Sequence, residues 1–316
     1  MSQYRAKLPQ LAGGLFLTDG GIETTLIFHD GLALPHFAAF HLLKDEAGTA
    51  ALRRYFARYA GIARANGTGF VLESPTWRAS SDWGEKLGYS HRALADANAG
   101  AIALMQELRL AFQGRRTPVV VSGCIGPRGD GYDPGTVMSP EEAQAYHAGQ
   151  IGVFAASEAD MVTAITMTNA SEAIGVTRAA AGAGMPVAIS FTVETDGRLP
   201  TGQSLKEAIA EVDETTRGAP AYYMINCAHP THFEATLAGK ETWLGRIRGV
   251  RANASRRSHA ELNEAPDLDD GDPEELGGQY RALRARQPQL AVLGGCCGTD
   301  HRHIEQIWAA CTSVKA

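Results

Sequence analysis

The sequence predicts an α/β protein of the (β/α)8 TIM-barrel type, formed by a single domain. Eight short apolar runs alternate with eight longer segments of helical spacing, and the 316 residues contain no evident linker. Such alternation is typical of a parallel sheet with crossover helices, and eight units in about 300 residues fit a closed barrel better than an open sheet. We expect one domain over 1–316, with its core at about 12–312.

The predicted strands are short β-like runs at 15–19, 69–73, 118–122, 160–165, 186–191, 222–226, 247–252 and 290–295. The predicted helices lie at about 42–66, 86–113, 139–158, 170–183, 203–213, 231–240, 273–286 and 301–312. The clearest helix follows Ser139, which can cap it, and has acidic residues in its first turn. The acidic stretch 263–273 is predicted to be a solvated loop.

Composition, charge and motifs argue against several classes of function. The apolar fraction of 44% is enough for a large buried core, and the net charge is −6. An acidic balance argues against nucleic acid or an anionic membrane as the main partner. The turn after the first strand, TDGGIETT, has no GxGxxG, which argues against a nicotinamide enzyme. No apolar run is long enough for a membrane helix and the N-terminus lacks a signal-peptide pattern, so we expect a cytoplasmic protein.

The five cysteines are Cys124, Cys227, Cys296, Cys297 and Cys311. An odd number without an export signal argues against a disulfide framework. Adjacent cysteines, such as the pair in LGGCCGTD, form a disulfide with each other only in a strained ring. That pair is therefore either two small buried side chains at a tight turn or part of a metal site.

Polar residues follow most of the predicted strands, at the end of the barrel where active sites of this fold lie. The candidates for substrate binding are Asp19, Gly20, Glu23, Glu73, Thr166, Asn226 and Asn253. Trp77 and Arg78 follow the second strand at the same end of the barrel.

The cysteine spacing predicts a metal site at the same end of the barrel. Cys227 ends the sixth strand and Cys296 and Cys297 end the eighth, so only one strand separates them in a closed barrel. Three thiolates suit zinc, and three protein ligands leave one position open for catalysis. On spacing alone, zinc binding and core packing are equal alternatives, and Cys124 could compete as a ligand.

At these residues the chain resembles the zinc-dependent homocysteine S-methyltransferases, over about residues 12–312. The segments that carry the resemblance are TDGGIETTL, SGCIGPRGD, ISFTVETDGRLPTGQSL, INCAHP and LGGCCGTDHRHI. The resemblance implies a (β/α)8 barrel with zinc held by Cys227, Cys296 and Cys297. It also implies methyl transfer from a small onium donor, such as S-methylmethionine or betaine, to the thiol of homocysteine, forming methionine. The nucleophile would be the zinc-activated substrate thiolate, with no protein nucleophile. Trp77 stands where some relatives place donor-binding aromatics, whose faces attract a cationic methyl group, and Arg78 would face a donor carboxylate.

The sequence departs from this family at two places. Relatives carry a glutamate at the end of the fourth strand that helps bind the amino group of homocysteine, and this chain has Ile165. Asp19 matches an aspartate near that amino group, and Glu73 or Glu23 could supply the missing carboxylate. The segment RAN at 251–253 stands where relatives often have YPN. The alternatives are therefore a methyltransferase for a different thiol or selenol, and a non-catalytic zinc-binding relative.

Overall fold

The computed structural model describes residues 2–265 and 267–313 and forms a closed barrel of eight parallel strands in sequence order. Each strand pairs with the next, and β8 pairs with β1. The strands are β1 Phe16–Leu17, β2 Gly69–Glu73, β3 Val119–Ile125, β4 Met161–Met167, β5 Val187–Phe191, β6 Tyr222–Asn226, β7 Ile247–Ala252 and β8 Val292–Gly295. The predicted (β/α)8 barrel and its eight strands are confirmed.

The helices are α1 Glu46–Ala65, α2 Ser81–Lys86, α3 His91–Phe112, α4 Pro140–Ala156, α5 Ala170–Gly182, α6 Leu205–Thr216, α7 Pro230–Phe233, α8 His259–Glu264, α9 Pro273–Arg286 and α10 His301–Thr312. The helix predicted at 231–240 is wrong, because α7 stops after one turn and only a 3₁₀ turn follows. The short helices α2 and α8 were not predicted, and α8 takes the first part of the stretch predicted as a loop at 263–273. None of the described helices is long and apolar enough to span a membrane.

Helix α4 begins as its sequence predicts. The Ser139 hydroxyl accepts a hydrogen bond from Glu142 N at 3.2 Å, and the Glu142 carboxylate accepts one from Ser139 N at 2.8 Å. This reciprocal capping box satisfies two backbone donors that the first helical turn leaves without partners.

Two apolar clusters hold the barrel together. Alternate strand residues fill the interior, where Phe16, Val120, Met161, Tyr222 and Val292 are buried together. The other face of each strand packs against the helices. Both faces are thus covered, which explains why the strands are near-continuous apolar runs in the sequence.

The N-terminal segment covers the amino end of the barrel. Backbone N–H groups of Gln3 and Tyr4 both donate to Asp160 Oδ1 at 2.7 Å, just before β4. Leu8 belongs to the interior cluster and Tyr4 packs against it. Ligands therefore have to approach from the opposite end, where the strands terminate in polar residues.

Candidate functional site

Three cysteine sulfurs converge at the carboxyl ends of β6 and β8. The Sγ atoms of Cys227, Cys296 and Cys297 lie within 4.8 Å of one another, and those of Cys227 and Cys297 are 3.8 Å apart. Sulfurs around a tetrahedral zinc, with Zn–S bonds of about 2.3 Å, lie about 3.8 Å from each other. The donor set therefore suits a zinc ion, and the separation of Cys227 and Cys297 matches that of two zinc ligands.

The structure joins Cys227 and Cys296 in a disulfide. The bond links two separate strand ends rather than the adjacent pair, which the sequence predicts will not bond to each other. A thiolate is the form that binds metal, so the bond has to be reduced before all three sulfurs can serve as ligands. Burial raises the pKa of the remaining Cys297 thiol to about 11, so metal binding near neutral pH has to release its proton.

Backbone hydrogen bonds fix the cysteines against the strand between them. Cys227 N donates to Arg251 O at 3.1 Å, and Cys296 N donates to Ala252 O at 2.8 Å. Cys227 has a φ of 53°, a left-handed conformation that is rare outside glycine and is often found at functional sites. Gly298, with a φ of 78°, supplies the turn that follows the adjacent pair.

Tyr132 lies over this cysteine cluster and was not predicted. Its hydroxyl is 3.3 Å from Cys297 Sγ and donates to Cys227 Sγ at 3.5 Å. Its ring stacks on His259, whose Nε2 is 2.5 Å from Cys227 O. Burial raises the pKa of Tyr132 well above its usual value, so the hydroxyl stays protonated. Tyr132 lies in the loop after β3, beyond the SGCIGPRGD segment, and no sequence pattern marks it.

Arg251, at the end of β7, forms a buried ion-pair network with two of the predicted acceptor residues. Its Nη2 donates to Asp19 Oδ1 at 2.5 Å, its Nη1 donates to the Glu73 carboxylate, and its Nε donates to Gly295 O at 3.1 Å. The three charged side chains are at most 7% exposed. Burial disfavours the cation, but Asp19 and Glu73 outweigh it and raise the pKa of Arg251, which stays charged.

The Asp19 and Glu73 carboxylates, which the sequence predicts to bind the acceptor, already have a partner in this network. Besides Arg251, Asp19 accepts a hydrogen bond from the Tyr55 hydroxyl at 2.9 Å, and that hydroxyl is also 2.9 Å from Gly20 O. Binding of the acceptor by Asp19, Gly20 and Glu73 remains a prediction. The amino group of an acceptor would have to compete with Arg251 for Asp19 and Glu73.

Thr166 and Asn226 are brought together and hydrogen-bond to each other. Asn226 Nδ2 donates to Thr166 Oγ1 at 2.9 Å, and Thr166 N donates to Asn226 Oδ1, also at 2.9 Å. Thr166 has a φ of 62° at an irregularity in β4, so the asparagine stabilises a strained bend. Ile165, just before this bend, is partly exposed and packs against the interior cluster. Substrate contacts by this pair remain a prediction.

Asn253 is placed beside the cysteine turn. It is 1% exposed, and its side-chain oxygen has no hydrogen-bond partner among the described residues. The next residue, Ala254, donates its backbone N–H to Cys297 O at 3.0 Å. A buried acceptor without a partner is costly, and a ligand N–H would satisfy it.

Arg78 lies between two tryptophan rings. Its guanidinium carbon is 4.0 Å from the ring centroid of Trp77 and 3.8 Å from that of Trp83, and its Nη1 donates to Gly129 O at 2.8 Å. One aromatic face of each ring is therefore covered by the protein's own cation. Donor binding by Trp77 and Arg78 remains a prediction. The hydrogen bond from Arg78 to Gly129 O anchors the loop that carries Tyr132.

Glu23 lies in a segment that is tied to the cysteine turn on both sides. A Cβ atom at Gly21 would be 2.6 Å from Cys296 O, so only glycine allows this approach. On the other side, Gly298 N donates to Thr24 Oγ1 at 2.9 Å. Glu23 is partly exposed, and burial raises the pKa of its carboxyl to about 7.

Comparison with known proteins gives one family and a set of similar folds. The sequence model of the family described as homocysteine S-methyltransferase matches residues 16–311. The oxidized form of the homocysteine methyltransferase MmuM from Escherichia coli has a TM-score of 0.74 at 19% identity, covering 93% of this chain and 95% of that chain. Its metallated form has a TM-score of 0.69 at 18% identity, with 94% and 96% covered. At this identity the likeness shows a shared fold, and no curated protein matches the sequence.

Proposed function

The chain belongs to the homocysteine S-methyltransferase family, and we propose that it moves a methyl group from a small onium donor to the thiol of homocysteine, forming methionine. S-methylmethionine and betaine are the proposed donor types. The observation that carries the proposal is the convergence of Cys227, Cys296 and Cys297 at one end of the barrel. We propose zinc as the cofactor, because three cysteine sulfurs form the soft donor set that this metal accepts.

The metal ligands, the strand ends and the loop with Tyr132 would each contribute to this reaction. Zinc held by the three thiolates would supply the charge that keeps a substrate thiol deprotonated at neutral pH. The strand ends orient the acceptor, and the anchored loop with Tyr132 shields the cysteine sulfurs from water. The thiolate displaces the donor's leaving group in line, so the new S–C bond forms as the donor–methyl bond breaks. Such a step needs no acid–base residue at the methyl group, so positioning does much of the work.

Calorimetric titration of L-homocysteine into the reduced, zinc-loaded protein tests this proposal. We expect saturable binding with proton release in the wild type. Cys296→Ser should lose both metal and homocysteine binding, whereas Cys311→Ser, a change in α10 away from the cluster, should keep them. Absence of homocysteine binding to fully loaded wild type would refute homocysteine as the acceptor.

A second candidate keeps zinc and methyl transfer but changes the acceptor to another thiol or a selenol. Two observations favour it: Ile165 stands at the usual glutamate position, and Arg251 occupies Asp19. Methyl-transfer assays over a panel of thiols and selenols separate the two candidates, since only the second predicts turnover that excludes homocysteine. Zinc binding without turnover on any acceptor would indicate the non-catalytic relative.

A further inference from the structure

Three carboxylates lie at the carboxyl ends of β1 and β2, the end of the barrel that carries the cysteine cluster, and two of them have an ion-pair partner. Asp19 and Glu73 share the buried guanidinium of Arg251, which donates to both. An acceptor ammonium would have to displace this cation or crowd against it. Asp19 and Glu73 keep one uncompensated negative charge between them, but an ammonium that approached either carboxylate would lie close to the guanidinium.

Glu23 is the third carboxylate, and it has no ion-pair partner within 4.0 Å among the described residues. It is partly exposed, unlike the other two. Its charge acts on the Cys297 thiol, on Tyr132 and on Arg78, so it lies within electrostatic range of the cysteine cluster. Arg78 does not neutralise it by contact, because that side chain is held between the two tryptophans.

The position of Glu23 is fixed by the cysteine turn itself. Gly21 N donates to Thr299 O at 3.0 Å, and Thr24 Oγ1 accepts from Gly298 N at 2.9 Å. Glu23 lies between these two attachment points, so its backbone is held relative to the sulfurs. A group held in this way can recognise a second feature of a ligand whose thiol is bound at the cluster.

We propose that Glu23 binds the ammonium group of the acceptor and makes the site selective for aminothiols. This inference rests on the proposed function and names how its acceptor is recognised. The ammonium would neutralise the partly buried Glu23 carboxylate, as Arg251 pairs with Asp19 and Glu73. Glu23 would also supply the carboxylate that this chain lacks at Ile165.

The test measures thiol binding by the full chain, reduced and loaded with Co²⁺, whose absorption reports thiolate coordination. The probes are L-homocysteine, 3-aminopropane-1-thiol, which lacks the carboxylate, and 4-mercaptobutanoate, which lacks the ammonium. Glu23→Gln is expected to weaken the two aminothiols by about 10- to 100-fold, the range for a hydrogen bond to a charged group. Binding of 4-mercaptobutanoate should stay the same or tighten, because a repelling charge is removed. Asp30→Asn, an exposed carboxylate near the end of the same segment, is the matched control and should change none of the three.

Each outcome decides one of the two claims. If wild type binds none of the thiols, the proposed function fails. If wild type binds homocysteine and 4-mercaptobutanoate equally well, or if Glu23→Gln weakens all three probes alike, the function stands and ammonium recognition by Glu23 is wrong. The comparison of probes in wild type needs no variant, so equal binding of homocysteine and 4-mercaptobutanoate would refute ammonium recognition even if Glu23→Gln folds poorly.

Discussion

Glu23→Gln should make the metal-free protein more stable at pH 8 and leave its stability nearly unchanged at pH 4.5. Burial raises the pKa of the Glu23 carboxyl from its ordinary 4.5 to about 7. At about 1.36 kcal/mol per pKa unit, this difference corresponds to at most about 3.4 kcal/mol. Because the side chain is partly exposed, solvent screening reduces the expected effect to about 1–2 kcal/mol.

The direction follows from proton binding. Between pH 4.5 and about 7 the folded chain keeps the Glu23 proton while the unfolded chain has lost it. The free energy of unfolding of the wild type therefore falls as pH rises through this window, and glutamine lacks this dependence. Above the window the full penalty of the buried charge is present in the wild type alone.

Urea unfolding of reduced, metal-free protein at pH 4.5, 6 and 8 measures this difference. The test uses only how the difference in free energy of unfolding between Glu23→Gln and wild type changes with pH. Any effect of the amide on packing that is constant with pH therefore cancels. Asp30→Asn should show no such trend. A Glu23→Gln difference that is the same at all three pH values would refute the view that burial holds this carboxyl protonated.

Three further predictions concern the ion-pair network, the metal ligands and a helix cap. Arg251→Met leaves two buried carboxylates without a cation and should lower the free energy of unfolding by about 3–5 kcal/mol; an unchanged urea midpoint would contradict the role of the network. Cys297→Ser should bind far less than the about one zinc per chain expected of the reduced wild type, whereas Cys311→Ser should match the wild type in elemental analysis. Ser139→Ala should cost about 1 kcal/mol and lower Tm by about 1–2 °C, and Ser139→Asp, which can still cap α4, should recover most of this loss.

Much of the fold could be predicted because each strand and most helices carry their own local signal. A buried parallel strand is a short apolar run, and the runs alternate with helical periodicity along the whole chain. The helix predicted at 231–240 fails because Pro230 starts a helix that its sequence does not sustain, and only Phe233 and Leu237 in this stretch are buried. Short helices such as α8 have too few turns to show a period.

The convergence of the cysteines was predictable because it follows from strand order alone. The pairing of polar side chains was not, since it depends on which residues meet across the barrel. Arg251 and Glu73 are separated by 178 positions and sit on different strands, so no local pattern joins them. Tyr132 reaches the cysteine cluster from a loop, where the direction of the side chain is set by tertiary contacts.

The pairing of β1 with β8 has a consequence for how the site comes into existence. The bond between Gly298 N and Thr24 Oγ1 joins positions 274 residues apart, across the seam where the first and last strands of the barrel meet. A nascent chain cannot form this seam until β8 and the turn after it have been synthesised. The thiols of β8 and the Glu23 segment therefore acquire their relative positions only when the barrel closes. A ligand that contacts both sides of the seam would hold it shut, so substrate binding and barrel closure should stabilise each other.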